Sequence, residues 1–185
     1  MDQKQQIALE KKIEFYNMIP NLIWSAIFIT PVFIFCYRNM NLKWILIFSA
    51  ISLMPVFFPK SFFKLFQLGN NISAYKKSGV VFFNRFTQNG AIMNKIIRKK
   101  YPNYKAISGK SEMIRKVFLR TFLFEKFHFL LLVFFLFTTI FAIAHGFFRW
   151  AFLITVCNVA YNIFPILLQQ YIRLRLSLIS RSKRR

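Results

Sequence analysis

Phe129 to Ala144 is a run without a charge, a proline or a glycine, and Trp150 to Leu168 is a second uncharged run just beyond it. Only a short stretch containing His145-Gly146-Phe147 separates them. Crossing a bilayer takes about 20 apolar residues in a helix, which satisfies its own backbone hydrogen bonds. Two such runs around a glycine predict an antiparallel helical hairpin over Thr121 to Arg175. If it turns near residue 147, His128 lies opposite Ile166 and Glu125 opposite Gln169. Residues three or four apart share a helix face, so Glu125 and His128 point the same way. On the second helix Asn158, Asn162, Pro165, Gln169 and Arg173 form a stripe. Two polar stripes therefore meet at one end of the hairpin.

The rest of the chain fits the same medium. Its 185 residues are 56% hydrophobic, with 26 Phe and a formal charge of +22. Nucleic-acid binders are also this basic, but they do not carry repeated apolar runs of near-spanning length, so no nucleic-acid partner is expected. Lys and Arg beside apolar spans suit the cytoplasmic face of an anionic lipid membrane. The expected fold is an all-α integral membrane protein, a single domain over residues 1–185 with about four transmembrane helices. The spans fall at about 19–37, 44–58, 127–144 and 150–168. The first resembles a signal peptide but has no small-residue cleavage site and reads as retained; Pro20 suits its first turn and Pro31 predicts a kink. The second is short, because fifteen residues cover roughly 22 Å of a core of about 30 Å. Trp44 and Lys60 at its ends close the gap by snorkelling, or the segment is re-entrant.

Residues 59–126 are basic and interfacial, holding fifteen of the 27 Lys and Arg. Phe62, Phe63, Leu65, Phe66 and Leu68 suggest one amphipathic helix in the headgroup plane, and Ile92, Met93, Ile96 and Ile97 another. Ser111 is a plausible N-cap for a helix that continues into the third span. With four spans, all but three of the basic residues lie on one side: Arg38, Lys43 and Arg149 are the exceptions. Both termini are therefore expected in the cytoplasm, in a multi-pass protein of the cell inner (plasma) membrane. Cys36 and Cys157 fall inside spans and read as small buried hydrophobes.

Acids are scarce, and Glu125 begins an apolar run where a carboxylate is costly. A carboxylate one turn from a histidine can fix its tautomer and stabilise its charged form, and such a pair can take a proton from a hydroxyl near neutral pH. Glu125 and His128 also fit a structural role, Glu125 pairing with Lys126, Arg120 or Arg173 while His128 packs at the interface. Asn158 reads as interhelical glue. Pro165 removes a helical hydrogen bond around Tyr161 and opens the helix beside the cluster. No glycine-rich phosphate loop, nucleophile elbow or metal motif is present, so no metal ligands are assigned.

The basic centre, then Glu125-x-x-His128, then Asn162-x-x-Pro165-x-x-x-Gln169-x-Tyr171-x-Arg173-x-Arg175-Leu176, resembles the glycosyl-4,4'-diaponeurosporenoate acyltransferase family of staphyloxanthin-type carotenoid synthesis. The resemblance covers roughly Lys60 to Leu176. It implies a cytoplasm-facing membrane enzyme that esterifies a sugar hydroxyl of a carotenoid glycoside, or a similar lipid-like acceptor, with a fatty acyl group. Glu125 and His128 match its acid-base pair, and Asn162, Gln169, Tyr171, Arg173 and Arg175 match its closing motif as substrate-binding candidates. No cofactor is implied beyond an acyl donor such as acyl-CoA or acyl carrier protein. The rival expectation is a non-catalytic membrane assembly factor or lipid-binding scaffold.

Overall fold

The computed structural model describes residues 3–88, 90–102 and 111–182. All regular structure among them is helical: α1 (Gln3–Asn39), α2 (Leu42–Leu53), α3 (Lys60–Leu65), α4 (Ile72–Lys77), α5 (Val80–Asn84), α6 (Ala91–Lys100), α7 (Ser111–Ala144), α8 (Phe148–Asn158) and α9 (Phe164–Ser182). A 3-10 turn over Met54–Phe57 succeeds α2, and a π-helical turn over Val159–Ile163 joins α8 to α9.

Three stretches are long and apolar enough to cross a membrane: Lys11–Asn39, Ile114–Ala144 and Phe148–Ser180. Large apolar side chains stand exposed along them, among them Phe33, Leu136, Ile140 and Phe152. Water would penalise that surface and lipid tails do not. The α1 helix starts well before the expected span and is unbroken through Pro20 and Pro31, so Pro20 is an interior residue rather than a first-turn one. The α7 helix runs without a break from the basic region into its apolar half, as expected. The side chains of Ser111 and Glu112 lie outside the described residues.

The expected span at 44–58 is the exception. The α2 helix has only 12 residues, about 18 Å of rise, and Met54–Phe57, with Pro55 near its start, is a 3-10 turn instead. Trp44 packs on Phe141 at 6.1 Å between ring centroids, and Lys126 Nζ donates to the Val56 carbonyl at 2.6 Å. The segment thus runs antiparallel to α7 over the levels of residues 141 down to 126.

The hairpin turn is where the sequence places it. Gly146 has φ 78°, the left-handed conformation that glycine adopts without a Cβ penalty. Phe147 N–H donates to the Ala142 carbonyl at 2.8 Å and Gly146 N–H to Ile143 at 3.0 Å. These two bonds are a Schellman motif, which satisfies carbonyls that the end of α7 would otherwise leave open. At this end the core joins Val32, Phe35 and Cys36 of α1 to Phe48, Phe135, Phe141, Ile154 and Cys157. Both cysteines are free and buried.

The described part of the basic region before α7 forms four short helices, α3 to α6. Asn71 caps α4 by accepting from Ser73 N–H at 3.0 Å, and α4 and α5 fold back on α9. Tyr75 and Val80 form a second buried cluster there with Leu168 and Tyr171. On α6, Met93 and Ile97 are buried while Ile92 and Ile96 are exposed, so only half of the expected apolar face is packed inward.

Candidate active site

Glu125 is 1% exposed, on the face of α7 that meets α9. A carboxylate there requires a counter-charge and donors. Arg173 Nη1 approaches Glu125 Oε2 to 2.5 Å. This is an ion pair by distance without hydrogen-bond alignment, and Arg173 Nη2 has no hydrogen-bond partner. The guanidinium also lies over the Phe122 ring at 4.1 Å. Gln170 Nε2 donates to Glu125 Oε1 at 2.9 Å and to the Phe66 carbonyl at 3.2 Å. Gln170 Oε1 accepts from the Tyr75 hydroxyl at 3.3 Å and from Leu68 N–H at 3.4 Å. A side-chain amide offers four such bonds, and Gln170 makes all four. Burial pushes the Tyr75 phenol above its ordinary range, so it remains a donor. This knot ties α7, α9, α4 and residues 66–68 together.

His128 sits one turn along α7 with different neighbours. Its ring meets Tyr161 edge-on at 5.5 Å and lies beside the Tyr161 main chain and the Asn162 side chain. Pro165 removes the helical hydrogen bond at this point, one turn upstream of itself, where the π turn over Val159–Ile163 lies. Asn162 is held from behind: its Nδ2 donates to Asn158 Oδ1 at 2.8 Å, and Asn158 Nδ2 donates to the Leu132 carbonyl at 3.1 Å. Asn158 is thus interhelical glue that also buttresses Asn162. His128 Nδ1 and Asn162 Oδ1 are buried without hydrogen-bond partners.

A cavity of about 580 Å³ opens between α1, residues 83–88, α7 and α9. His128, Tyr161, Ser25, Asn21, Gln88, Gln169 and the cation Arg120 are among its polar lining, with Trp24, Phe124, Pro165 and Leu168 among the apolar walls. Leu123 and Phe127, 68% and 47% exposed, line it on the outer surface. Its size suits a small-molecule site, and those two side chains make the outer wall apolar.

The two members of the expected pair are therefore separated. His128 lines the cavity; Glu125 is not among the lining residues and spends its charge on Arg173 and Gln170. The group beside His128 is Asn162 rather than a carboxylate. Of the closing-motif residues, Gln169 lines the cavity, Asn162 lies against His128, and Arg173 is buried in the knot. Tyr171 packs on Tyr75 at 6.3 Å, and Arg175 is exposed over the Tyr171 ring at 5.6 Å. Neither lines the cavity.

The hairpin register also differs from a straight count. His128 meets Tyr161 and Asn162 rather than Ile166, and Glu125 meets Gln170 rather than Gln169. A π turn takes about one residue more than an α turn, which rotates the helix beyond it by about 100°. Gln170 turns to Glu125 and Gln169 to the cavity. Pro165 was the signal for this shift. Nothing in the sequence announces Asn21, Ser25, Thr87 or Gln88, because they reach the cavity from distant elements.

Comparison with known proteins gives one result. Neither a curated protein nor a solved structure matches the chain. The model of one family, described as glycosyl-4,4'-diaponeurosporenoate acyltransferase, matches residues 59–182, two thirds of the chain, including the knot, His128 and the π turn. The chain belongs to that acyltransferase family of the carotenoid pathway.

Proposed function

We propose that the protein is a membrane-embedded acyltransferase that esterifies a hydroxyl of a lipid-like acceptor, a carotenoid glycoside or a lipid of similar build, with a fatty acyl group. The observation that carries this reading is His128, which lies inside the segment that matches the family and is set on the wall of a mostly apolar cavity. Neutral imidazole takes the proton of the acceptor hydroxyl as its oxygen attacks the acyl carbonyl. With Ser25 as the donor in its 2.6 Å bond to Tyr161, the Tyr161 hydroxyl keeps its own proton for the oxyanion, beside the Gln169 amide that lines the same cavity. Collapse of the intermediate breaks the acyl–sulfur bond, and the departing thiolate takes the proton from His128. Asn162, not Glu125, is the polar side chain beside the ring, and Glu125 acts one step back by holding α9 against α7.

The donor is an acyl thioester, acyl-CoA or acyl carrier protein, whose phosphate is drawn to the basic residues of 59–126. Those residues and both termini face the cytoplasm of a cell inner membrane. Residues 42–57 make a fourth, thinned pass, with Trp44 and Lys60 at its ends.

The test is transfer from labelled acyl-CoA or acyl carrier protein to a glycolipid in proteoliposomes holding the purified chain. A labelled ester in wild type is the expected result. No ester with either donor, from protein that remains folded, overturns the reading in favour of a scaffold.

A further inference from the structure

The α1 helix lies outside the family match, which begins at residue 59, yet it forms one wall of the cavity. It is stitched to the segment after α5 by two hydrogen bonds. Asn21 Nδ2 donates to Gln88 Oε1 at 2.7 Å, and Trp24 Nε1 donates to the Phe86 carbonyl at 3.0 Å. A third bond, 2.6 Å between the Ser25 and Tyr161 hydroxyls, ties α1 to the π turn beside His128. These bonds place Asn21, Trp24, Ser25 and Gln88 around the cavity, with Asn21 itself exposed.

Their chemistry is specific. One bond between Asn21 and Gln88 uses one amide oxygen and one N–H, leaving the Asn21 oxygen and the Gln88 NH₂ for a ligand. Trp24 has spent its N–H on the main chain and stacks on Phe28 at 5.2 Å, so it presents a rigid apolar surface next to two amides. No carboxylate lines the cavity, and its arginine, Arg120, lies over the Phe124 ring at 5.2 Å. A rigid apolar wall beside uncharged amides fits a ring with C–H faces and a rim of hydroxyls.

We infer that Asn21, Trp24 and Gln88 form a clamp for the uncharged, hydroxyl-rich ring of a lipid headgroup, through which α1 sets acceptor choice. This rests on the acyl-transfer reading for its consequence, since the clamp would present a ring hydroxyl to His128, but binding is measurable without transfer. Helical rise puts Asn21 about 6 Å from Ser25 along α1, which is the scale of one such ring between the amides and the Ser25–Tyr161 end of the cavity. The acyl or polyene tail of the acceptor would leave past Leu123 and Phe127.

The test uses full-length protein in phosphatidylcholine nanodiscs with Trp44→Phe and Trp150→Phe, leaving Trp24 as the fluorophore. Glucosyl-diacylglycerol is titrated against diacylglycerol and phosphatidylglycerol. The expected result is a saturable change with the glucosyl lipid alone, at least tenfold weaker in half-saturation for Asn21→Ala and for Gln88→Ala. Gln88 lies outside the long helices, so its variant keeps the test readable if Asn21→Ala fails to accumulate. Equal responses to diacylglycerol mean a greasy groove, and a stronger response to phosphatidylglycerol means an anion site; either overturns the clamp. A retained glucosyl response in protein without acyl transfer removes the enzymatic reading and leaves the clamp standing. Transfer without a selective response removes the clamp alone.

Discussion

A carboxylate and a guanidinium buried together compensate each other's charge, and the cost of removing one partner falls on the other. Arg173 is 4% exposed, so Glu125→Gln leaves a buried cation whose nearest counter-charge is gone. Breaking such a pair costs about 3–5 kcal/mol, whereas replacing both partners by uncharged groups is often neutral. Glu125→Gln should therefore lower the unfolding midpoint in detergent, and Glu125→Gln with Arg173→Met should recover most of the loss. Additive losses would mean that the two residues do not act as a pair. His128 carries no such burden: its Nδ1 has no hydrogen-bond partner and one side faces the cavity. His128→Ala should leave stability nearly unchanged and cut kcat by about 10²- to 10⁴-fold. A matching loss of folded protein would move His128 into the structural class. The sequence singled out both residues, because one is a rare acid and the other heads an apolar run. It assigned them to each other because they are one turn apart. What separates them is the identity of their neighbours on α9, and that depends on a register shift that spacing rules do not carry.

Pro165 acts on a whole segment. Without its N–H the α-helical bond to residue 161 is missing, and the π turn over Val159–Ile163 takes up the strain. Pro165→Ala restores the donor and removes the ring that opposes an ordinary turn. The expected outcome is a loss of acyl transfer together with a lower melting temperature, as α9 rotates back and carries Gln170 and Arg173 away from the buried Glu125. Unchanged transfer would show that side-chain packing, not proline, holds the π turn. Other elements were readable for local reasons. Gly146 marked the hairpin because only a left-handed residue closes a Schellman motif cheaply, and the charge-free run of α7 could only be a long helix. The short helices α3 to α6 were not readable as packed elements. Their apolar residues are spaced for an amphipathic surface, and whether that surface meets lipid or, as Tyr75 and Val80 do, the flank of α9 is decided by partners far away in sequence.

The topology of the molecule is set by where its charges can go. If residues 42–57 failed to cross, three passes would remain and the two termini would lie on opposite sides. The fifteen basic residues of 59–126 would then share a side with Arg38 and Lys43, across the membrane from the N-terminal lysines. Three passes leave four basic residues away from the cytoplasm, the N-terminal lysines and Arg149, and four passes leave three, Arg38, Lys43 and Arg149. At about 1 kcal/mol for each Lys or Arg near an anionic surface, the charges favour four passes by one residue. Four passes put 24 of the 27 basic residues on one side. Residues 42–57 lie along α7 from Phe141 to Lys126, the path that a fourth pass requires. Reporter fusions after residue 40 should therefore report the side opposite to fusions after residues 102 and 185, which should agree with each other. The decisive pair is 40 and 102. If both report the same side, α2 is re-entrant, and the basic region must be reached without a second crossing.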